Sequence, residues 1–391
     1  MALQKLAGVL QGIRVVEQGT FITGPCAGMM LADLGADVIK IESPDGDPYR
    51  SYQGSNYSPH FQAYNRNKRS LALDLKAQAD RALFDGLIRE ADVFIQNFRP
   101  GTADRLGAGE KRLRELNPRL VYGSISGFGS SGPYVDRPSY DSVAQALSGF
   151  LSVVVDTDRP RFLGPALADA ITGIYAAYGI LGALVQRGRT GTGCLVEVSM
   201  LEAMAHFAVE PFQAYFALGQ VPTSKDRPRL AQAYILRTQD ARLIAIHLSS
   251  LEKFWTGLLA AIEDPAIAGD PRFATRLSRI EHYDQLGPAL DAVFSRHPVS
   301  HWAERLGRND VPYAPINRID EVVADPQAQY LGVIVPVESA DPATHGGTRA
   351  VRPPVQFSGS RSTSVRAAPL LNEQGAAIRA ALARGETWPG E

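Results

Sequence analysis

The sequence is short of several things, and each shortage excludes something. Two cysteines, Cys26 and Cys194, are spread over 391 residues. That is too few for a disulfide framework and fits a reducing compartment, so a cytoplasmic location is expected. No charge excess exists: 40 Lys and Arg against 41 Asp and Glu leave a formal net charge of -1. The electrostatic case for a nucleic-acid or membrane partner is therefore missing. No uncharged apolar run reaches the length of a bilayer span. The opening "MALQKLAGVLQGIRVVEQ" has no long apolar stretch of the signal-peptide kind, so none is expected.

Familiar catalytic motifs are also missing or fail. No G-x-S-x-G elbow occurs. "GFGSSG" (Gly127 to Gly132) matches a dinucleotide fingerprint, but Pro133 to Pro138 do not open the helix that would receive a pyrophosphate. "GRTGTG" (Gly188 to Gly193) lacks the Walker spacing and its Lys, and reads as a tight turn. Of the seven histidines, His297 and His301 stand four apart, yet Pro298 lies between them and a solvated turn is the expectation. None makes the His-Glu pattern of a zincin helix, so no metal is expected. Cys26 sits in an apolar helix and reads as a small buried hydrophobe.

What is present is an alternation. "GIRVVEQ", "ADVIKIE", "RSLALDL", "DVFIQNF" and "LVYGSISGFG" read as strands. Between them "GPCAGMMLADLG", "AQADRALFDGLIREA" and "GAGEKRLRELNP" read as helices, the first opened by Pro and closed by Gly. Such alternation predicts a parallel sheet covered on both faces, an α/β fold. From Ser142 to about Gly188 the chain reads as mostly helical, followed by a strand in "TGTGCLVEVSM". The next helix, "LEAMAHFAVEPFQAYFALG", is expected to break at Pro211. A polar linker is placed near Thr223 to Arg229. Beyond it a smaller α/β unit holds the strand "RLIAIHL", helices near 251–262, 282–296 and 301–306, and a returning strand, "VPYAPIN". The tail "ADPATHGGTRAVRPPVQFSGSRSTS" reads as an extended surface wrap. The expected division is 1–225, 226–325 and a segment 326–391 that returns to the first domain.

"GPALADAITGIYAAYGIL" (Gly164 to Leu181) carries one charge, Asp169, on an otherwise apolar helix. One reading is an N-cap, whose oxygen accepts from backbone N–H groups left without helical partners. The other is a nucleophile or base, held anionic by the helix N-terminus.

The blocks "GPCAGMMLADLGADVIKIESPDGD", "NRNKRSLALDL", "ADVFIQNFRPGTADRLG", "LNPRLVYGSISGFGSSGPY" and "GPALADAITGIYAAYGILGAL" occur in that order. Together they resemble the family III CoA-transferases, the group of formyl-CoA transferase and carnitine CoA-transferase. Alpha-methylacyl-CoA racemase belongs to the same superfamily. The resemblance runs from about Gly12 to Met200 and weakens after 230. It implies a Rossmann-like large domain, a smaller α/β domain, and two chains interlocked into a ring-like homodimer. It implies that Asp169 attacks an acyl-CoA thioester, giving a mixed anhydride and then an aspartyl-CoA thioester from which a carboxylic acid acceptor takes CoA. CoA is then a substrate and no tightly bound cofactor is expected. Small neighbours, Gly164, Ala166, Ala168 and Ala170, leave room for the thioester.

CoA contacts are implied for Leu73, Asp74, Leu75 and Lys76, for Asn97, Phe98 and Arg99, and for Arg105, Arg137 and Tyr140. Ile22 and Thr23 lie where the transferases place a polar pair, but the glutamine of formyl-CoA transferase is absent, and Ser43 replaces an arginine of that enzyme. Tyr140 stands where the racemase carries a proton-transferring His, and a phenol of pKa near 10 suits that exchange poorly. The glycine run that closes over the formyl-CoA transferase site is replaced by "DRPRLAQAYILRT", in which Gln232 is a counterpart of the glutamine after that run. Formyl-CoA and oxalate are doubtful substrates on this reading, and a different acid is expected, a dicarboxylate such as succinate or a substituted succinate, its second carboxylate meeting Arg227, Arg229 or Arg237. The rival functions are a 2-methylacyl-CoA racemase and a CoA-binding protein without turnover.

Overall fold

Strands β1 (Arg14–Gln18), β2 (Asp37–Glu42), β3 (Arg69–Ala72), β4 (Val93–Gln96), β5 (Val121–Ser126) and β6 (Leu195–Ser199) form one sheet in a computed structural model of the chain. The structure describes residues 8–54, 56–162, 164–250, 252–339 and 349–390. The strand order is β3-β2-β1-β4-β5-β6, and every neighbouring pair is parallel. The expected α/β class and parallel sheet are found. Successive residues of each strand serve opposite faces. Val15 joins Ala27, Leu31, Val38, Ile95 and Ile180 on one side. Val16 joins Ile39, Leu71, Phe84, Leu87 and Phe94 on the other.

The strand order reverses between β1 and β4. In open parallel sheets the crevice beyond the strand ends at such a point is where ligands bind. The loops leaving β1 and β4 there are Gly19 to Ile22 and Asn97 to Gly101. Two helices cover this end, Thr23–Asp33 and Leu167–Thr190. They touch closely because Gly173 has no side chain: a Cβ there would lie 2.6 Å from Cys26 Cβ and 2.9 Å from the Thr23 carbonyl oxygen. Cys26 is buried as the sequence implied, and burial pushes its thiol up to about 11.

The chain divides into two compact units. The first comprises 1–151, 162–212 and 327–391. It includes a small sheet of β10 (Ile334–Glu338), β11 (Arg349–Val351) and β12 (Val365–Arg366), and a late helix, Gly375–Ala383. The late segment closes the edge of β3. Asn372 Oδ1 accepts from the Ala72 N–H at 2.9 Å, Gln374 Oε1 accepts from the Ser70 N–H at 2.8 Å, and Arg379 donates to the Ala72 carbonyl at 2.9 Å. The second unit comprises 152–161 and 213–326. Its antiparallel strands β7 (Ala233–Arg237), β8 (Leu243–His247) and β9 (Tyr313–Pro315) pack with three helices around Tyr234, Leu236, Ile244, Leu258, Leu286 and Trp302.

Several elements depart from the sequence reading. The 142–188 stretch is less helical than expected: helices Asp141–Leu147 and Leu167–Thr190 are joined by a short 3-10 turn, Phe150–Val153, and non-helical chain. The helix after β6 breaks at Ala208, not at Pro211, giving Met200–Phe207 and Val209–Leu218. Pro211 lies in the first turn of the latter, where its missing N–H has no helical partner to lose. The linker near 223–229 opens a short helix, Asp226–Ala231. Strand β7 and helix Gly375–Ala383 were not expected at all. Of the proline-rich tail, 340–348, including His345, lies outside the described residues.

Candidate functional site

The loop after β1 is held from below by buried charge. Lys40, from the middle of β2, has no exposed side-chain surface. Its Nζ meets Glu17 Oε1 at 3.1 Å, the Gly19 carbonyl at 2.7 Å and Asp47 Oδ2 at 3.1 Å. Lys68 Nζ reaches Glu17 Oε2 at 2.6 Å and the Pro25 carbonyl at 2.8 Å. Burial alone pushes the Glu17 carboxyl up, and the two lysines together hold it below the usual range. Burial pushes the Lys68 ammonium down to about 8. Asp47 Oδ1 accepts from the Phe21 N–H at 3.1 Å and the Tyr49 N–H at 2.9 Å. Phe21 sits at φ +57°, a left-handed conformation a bulky side chain rarely adopts, and these contacts hold it there.

From the β4 side, Asn97 clamps the same loop. Its Oδ1 accepts from the Thr20 N–H at 2.9 Å, and its Nδ2 donates to the Thr20 carbonyl and to Thr23 Oγ1, each at 2.8 Å. The two loops thereby become one rigid wall. Beyond it lies a groove with two lobes. One, of about 660 Å³, is lined by Ser43, Asp47, Leu73, Asp74, Leu75 and Lys76. The other, of about 500 Å³, is lined by Ile22, Thr23, Tyr49, Arg99, Arg137, Tyr140 and Asp169. Thr20 and Phe98 line both lobes.

Asp169 is not the cap of its helix. The helix starts at Leu167, which puts Asp169 in its first turn, and Ala166 at the cap supplies no side-chain hydrogen bond. The capping oxygen comes from Asp141, 27 residues upstream: its Oδ1 accepts from the Ala168 N–H at 2.7 Å and the Asp169 N–H at 3.3 Å. Gln145 donates to the other Asp141 oxygen at 2.6 Å. Asp169 is therefore not held anionic. Burial first, and the neighbouring Asp141 carboxylate second, push its carboxyl from 3.8 up to about 7. A partly desolvated carboxylate with no ion pair among the described residues is poorly solvated and correspondingly reactive.

A model of CoA-transferase family III matches residues 10–375. The chain belongs to CoA-transferase family III. It is 34% identical to acetyl-CoA:oxalate CoA-transferase of Acetobacter aceti over 98% of each chain. It is 35% identical to succinate–glutarate CoA-transferase of Agrobacterium fabrum over 95% of each. A CaiB/BaiF family protein from Brucella suis matches it with a TM-score of 0.85 and 34% identity, covering 96% of this chain and 100% of that one. Like its relatives, the chain is a CoA-transferase enzyme, with acyl-CoA and carboxylic acids as its substrate classes.

In this family III CoA-transferase the two lobes gather most of the residues singled out in the sequence. Arg105 lines neither lobe and instead donates to Thr102 Oγ1 at 2.7 Å on the surface. Asn97 lines the Asp169 lobe, but its carboxamide is consumed by the loop clamp. Leu73 and Leu75 point into the core. Gln232 belongs to the second unit, where it is 1% exposed and its Oε1 accepts from Arg279 at 2.9 Å. Arg229 is paired with Asp284 at 3.0 Å. His297 and His301 stack with ring centroids 4.0 Å apart, and no metal-binding cluster of three or more His, Cys, Asp or Glu occurs among the described residues.

The sequence reading missed Asp47, Tyr49 and Asp141. Asp141 had a local signal, an acid opening a helix directly after Tyr140. Asp141→Asn keeps an oxygen for the two N–H groups and removes the like charge. The acid limb of kcat/KM against pH is expected to move to lower pH; an unmoved limb would show that burial alone sets it.

Proposed function

We propose that the enzyme transfers CoA from an acyl-CoA thioester to a carboxylic acid through covalent intermediates on Asp169. The observation that carries this is the placement of a half-buried carboxylate, with no ion pair among the described residues, in one lobe of a two-lobed groove. Its carboxylate adds to the thioester carbonyl and CoA leaves as the thiolate, giving a mixed anhydride. CoA then attacks the Asp169 carbonyl and releases the first acid, and the acceptor acid reverses the two steps. Splitting the exchange this way divides one transfer between two acids into covalent steps at a single fixed carboxylate. Lys76 in the far lobe offers a cation to the CoA phosphates. Of the basic groups, Arg99 and Arg137 line the Asp169 lobe and make no ion pair among the described residues.

A dicarboxylate acceptor fits those two guanidiniums, and the named relatives act on oxalate, succinate and glutarate. CoA travels as substrate, and the reading requires no resident cofactor. We further propose a cytoplasmic homodimer. The Leu167–Thr190 helix is long and apolar enough to cross a membrane, yet Ala176, Ala177 and Ile180 are buried against the sheet. Its outer side exposes Ile174, Tyr178 and Val185, a stripe that a second copy would cover.

The test is a covalent trap. Wild type and Asp169→Ala are incubated with acetyl-CoA or succinyl-CoA in heavy water, treated with hydroxylamine, and the peptide containing residue 169 is mapped by mass spectrometry. A hydroxamate on Asp169 in the wild type alone is the expected result. Deuterium at the acyl α-carbon without an adduct would place the chain among isomerases instead.

A further inference from the structure

This inference rests on the transfer chemistry at Asp169. When the carboxylate adds to a thioester carbonyl, the carbonyl oxygen becomes an oxyanion. Such a centre is best stabilised by a donor fixed in place before the reaction and shielded from water. The wall beside Asp169 offers few. Ile22 is apolar, and the Asn97 carboxamide is spent on Thr20 and Thr23. Tyr52 and Tyr140 are 63% and 62% exposed, so water competes for both hydroxyls.

Tyr49 differs. It lines the lobe that contains Asp169, but only 7% of it is exposed. Its ring is held by Phe21, Tyr52 and His60, at centroid distances of 5.7, 5.2 and 5.5 Å. Its backbone N–H is tied to the same Asp47 oxygen that fixes Phe21. Its hydroxyl makes no hydrogen bond among the described residues. Burial, with Tyr64, Tyr52 and Asp169 adding to it, keeps that phenol protonated, its pKa pushed up to about 12. A rigid, protonated donor without a partner among the described residues thus lines the same lobe as Asp169.

We propose that the Tyr49 hydroxyl donates a hydrogen bond to the carbonyl oxygen of the acyl group under attack, which makes it a catalytic residue of the transfer. As the Asp169 oxygen bonds to the carbonyl carbon, the C=O π pair moves onto oxygen and is met by the Tyr49 O–H. Collapse re-forms the C=O bond and expels the CoA thiolate. The phenolic proton stays on Tyr49 throughout.

Tyr49→Phe keeps the ring and removes one oxygen. In single-turnover trapping with acetyl-CoA or succinyl-CoA, formation of the Asp169 adduct is expected to slow about 100-fold. The affinity for free CoA and the melting temperature are expected to stay at wild-type values. An adduct formed at the wild-type rate overturns the assignment. So does a slowing matched by an equal loss of CoA affinity, which would mark a binding role. If the wild type yields no adduct from either donor, the reading of Asp169 fails and this one fails with it.

Discussion

Asp169→Asn is expected to abolish transfer and, above neutral pH, to raise stability. The loss of activity should be about ten-thousandfold or more, the usual scale when a covalent nucleophile is removed. The gain follows from the same carboxyl. Its pKa is 3.8 in an ordinary setting and about 7 in the fold. Below pH about 4 both the folded and unfolded states carry the proton, and the substitution should be close to neutral. Between pH about 4 and 7 the unfolded chain releases the proton while the folded one retains it, so the native Asp progressively favours unfolding. Above that range the difference levels off at about 4 kcal/mol. Chemical denaturation of both proteins across pH 4 to 9 checks it. Parallel curves for the two would mean that the carboxyl is not perturbed. A destabilising nucleophile of this kind is the ordinary cost of an active site that keeps water away from a charge.

Lys40→Met is expected to destabilise the first unit by about 3–5 kcal/mol, the scale for breaking a buried ion pair from one side. Methionine fills most of the space but leaves Asp47 facing the core without its cation, and Glu17 with Lys68 alone. The harm should extend beyond stability. Lys40 also holds the Gly19 carbonyl, and Asp47 holds the amides of Phe21 and Tyr49, so the wall of the Asp169 lobe loosens. Urea unfolding gives the first effect, and the trapping rate at Asp169 in the folded variant gives the second. A variant as stable as wild type would show that the network contributes positioning only.

Much of the first unit could be read from the chain because its signals are local. Runs such as Val15–Val16 and Val38–Ile39 have the continuous apolar character of strands buried on both faces. Pro25 and Gly35 punctuate the helix between them. Strand β7 carried a period-two pattern, with Tyr234 and Leu236 inward, that the polar linker before it obscured. The Ala-rich run that forms Gly375–Ala383 likewise followed a stretch dominated by Pro, Gly and Ser. The site was less legible, since its decisive relations are between distant residues. That Asp169 shares its helix terminus with Asp141 depends on how two helices meet. That the Asn97 carboxamide is consumed, and the Tyr49 hydroxyl is not, depends on loops brought together by the strand-order reversal. A lysine inside "DVIKIE" and a glutamate inside "RVVEQ" were the visible hints of buried charge.

The closure of the β3 edge by Asn372 and Gln374 sets a schedule for biosynthesis. Ser70 is followed 304 residues later by Gln374, the side chain that satisfies its amide. At about 5–20 residues per second that gap lasts on the order of 15–60 s on the ribosome. Through that interval the β3 amides of Ser70 and Ala72 lack these partners and present the open border that pairs with foreign strands. The sheet that carries the site loops is sealed only after the second unit has been made. Its hazard of mispairing therefore grows with the time taken to translate the intervening segment, and slow codons between the two would lengthen the period in which that border stays open.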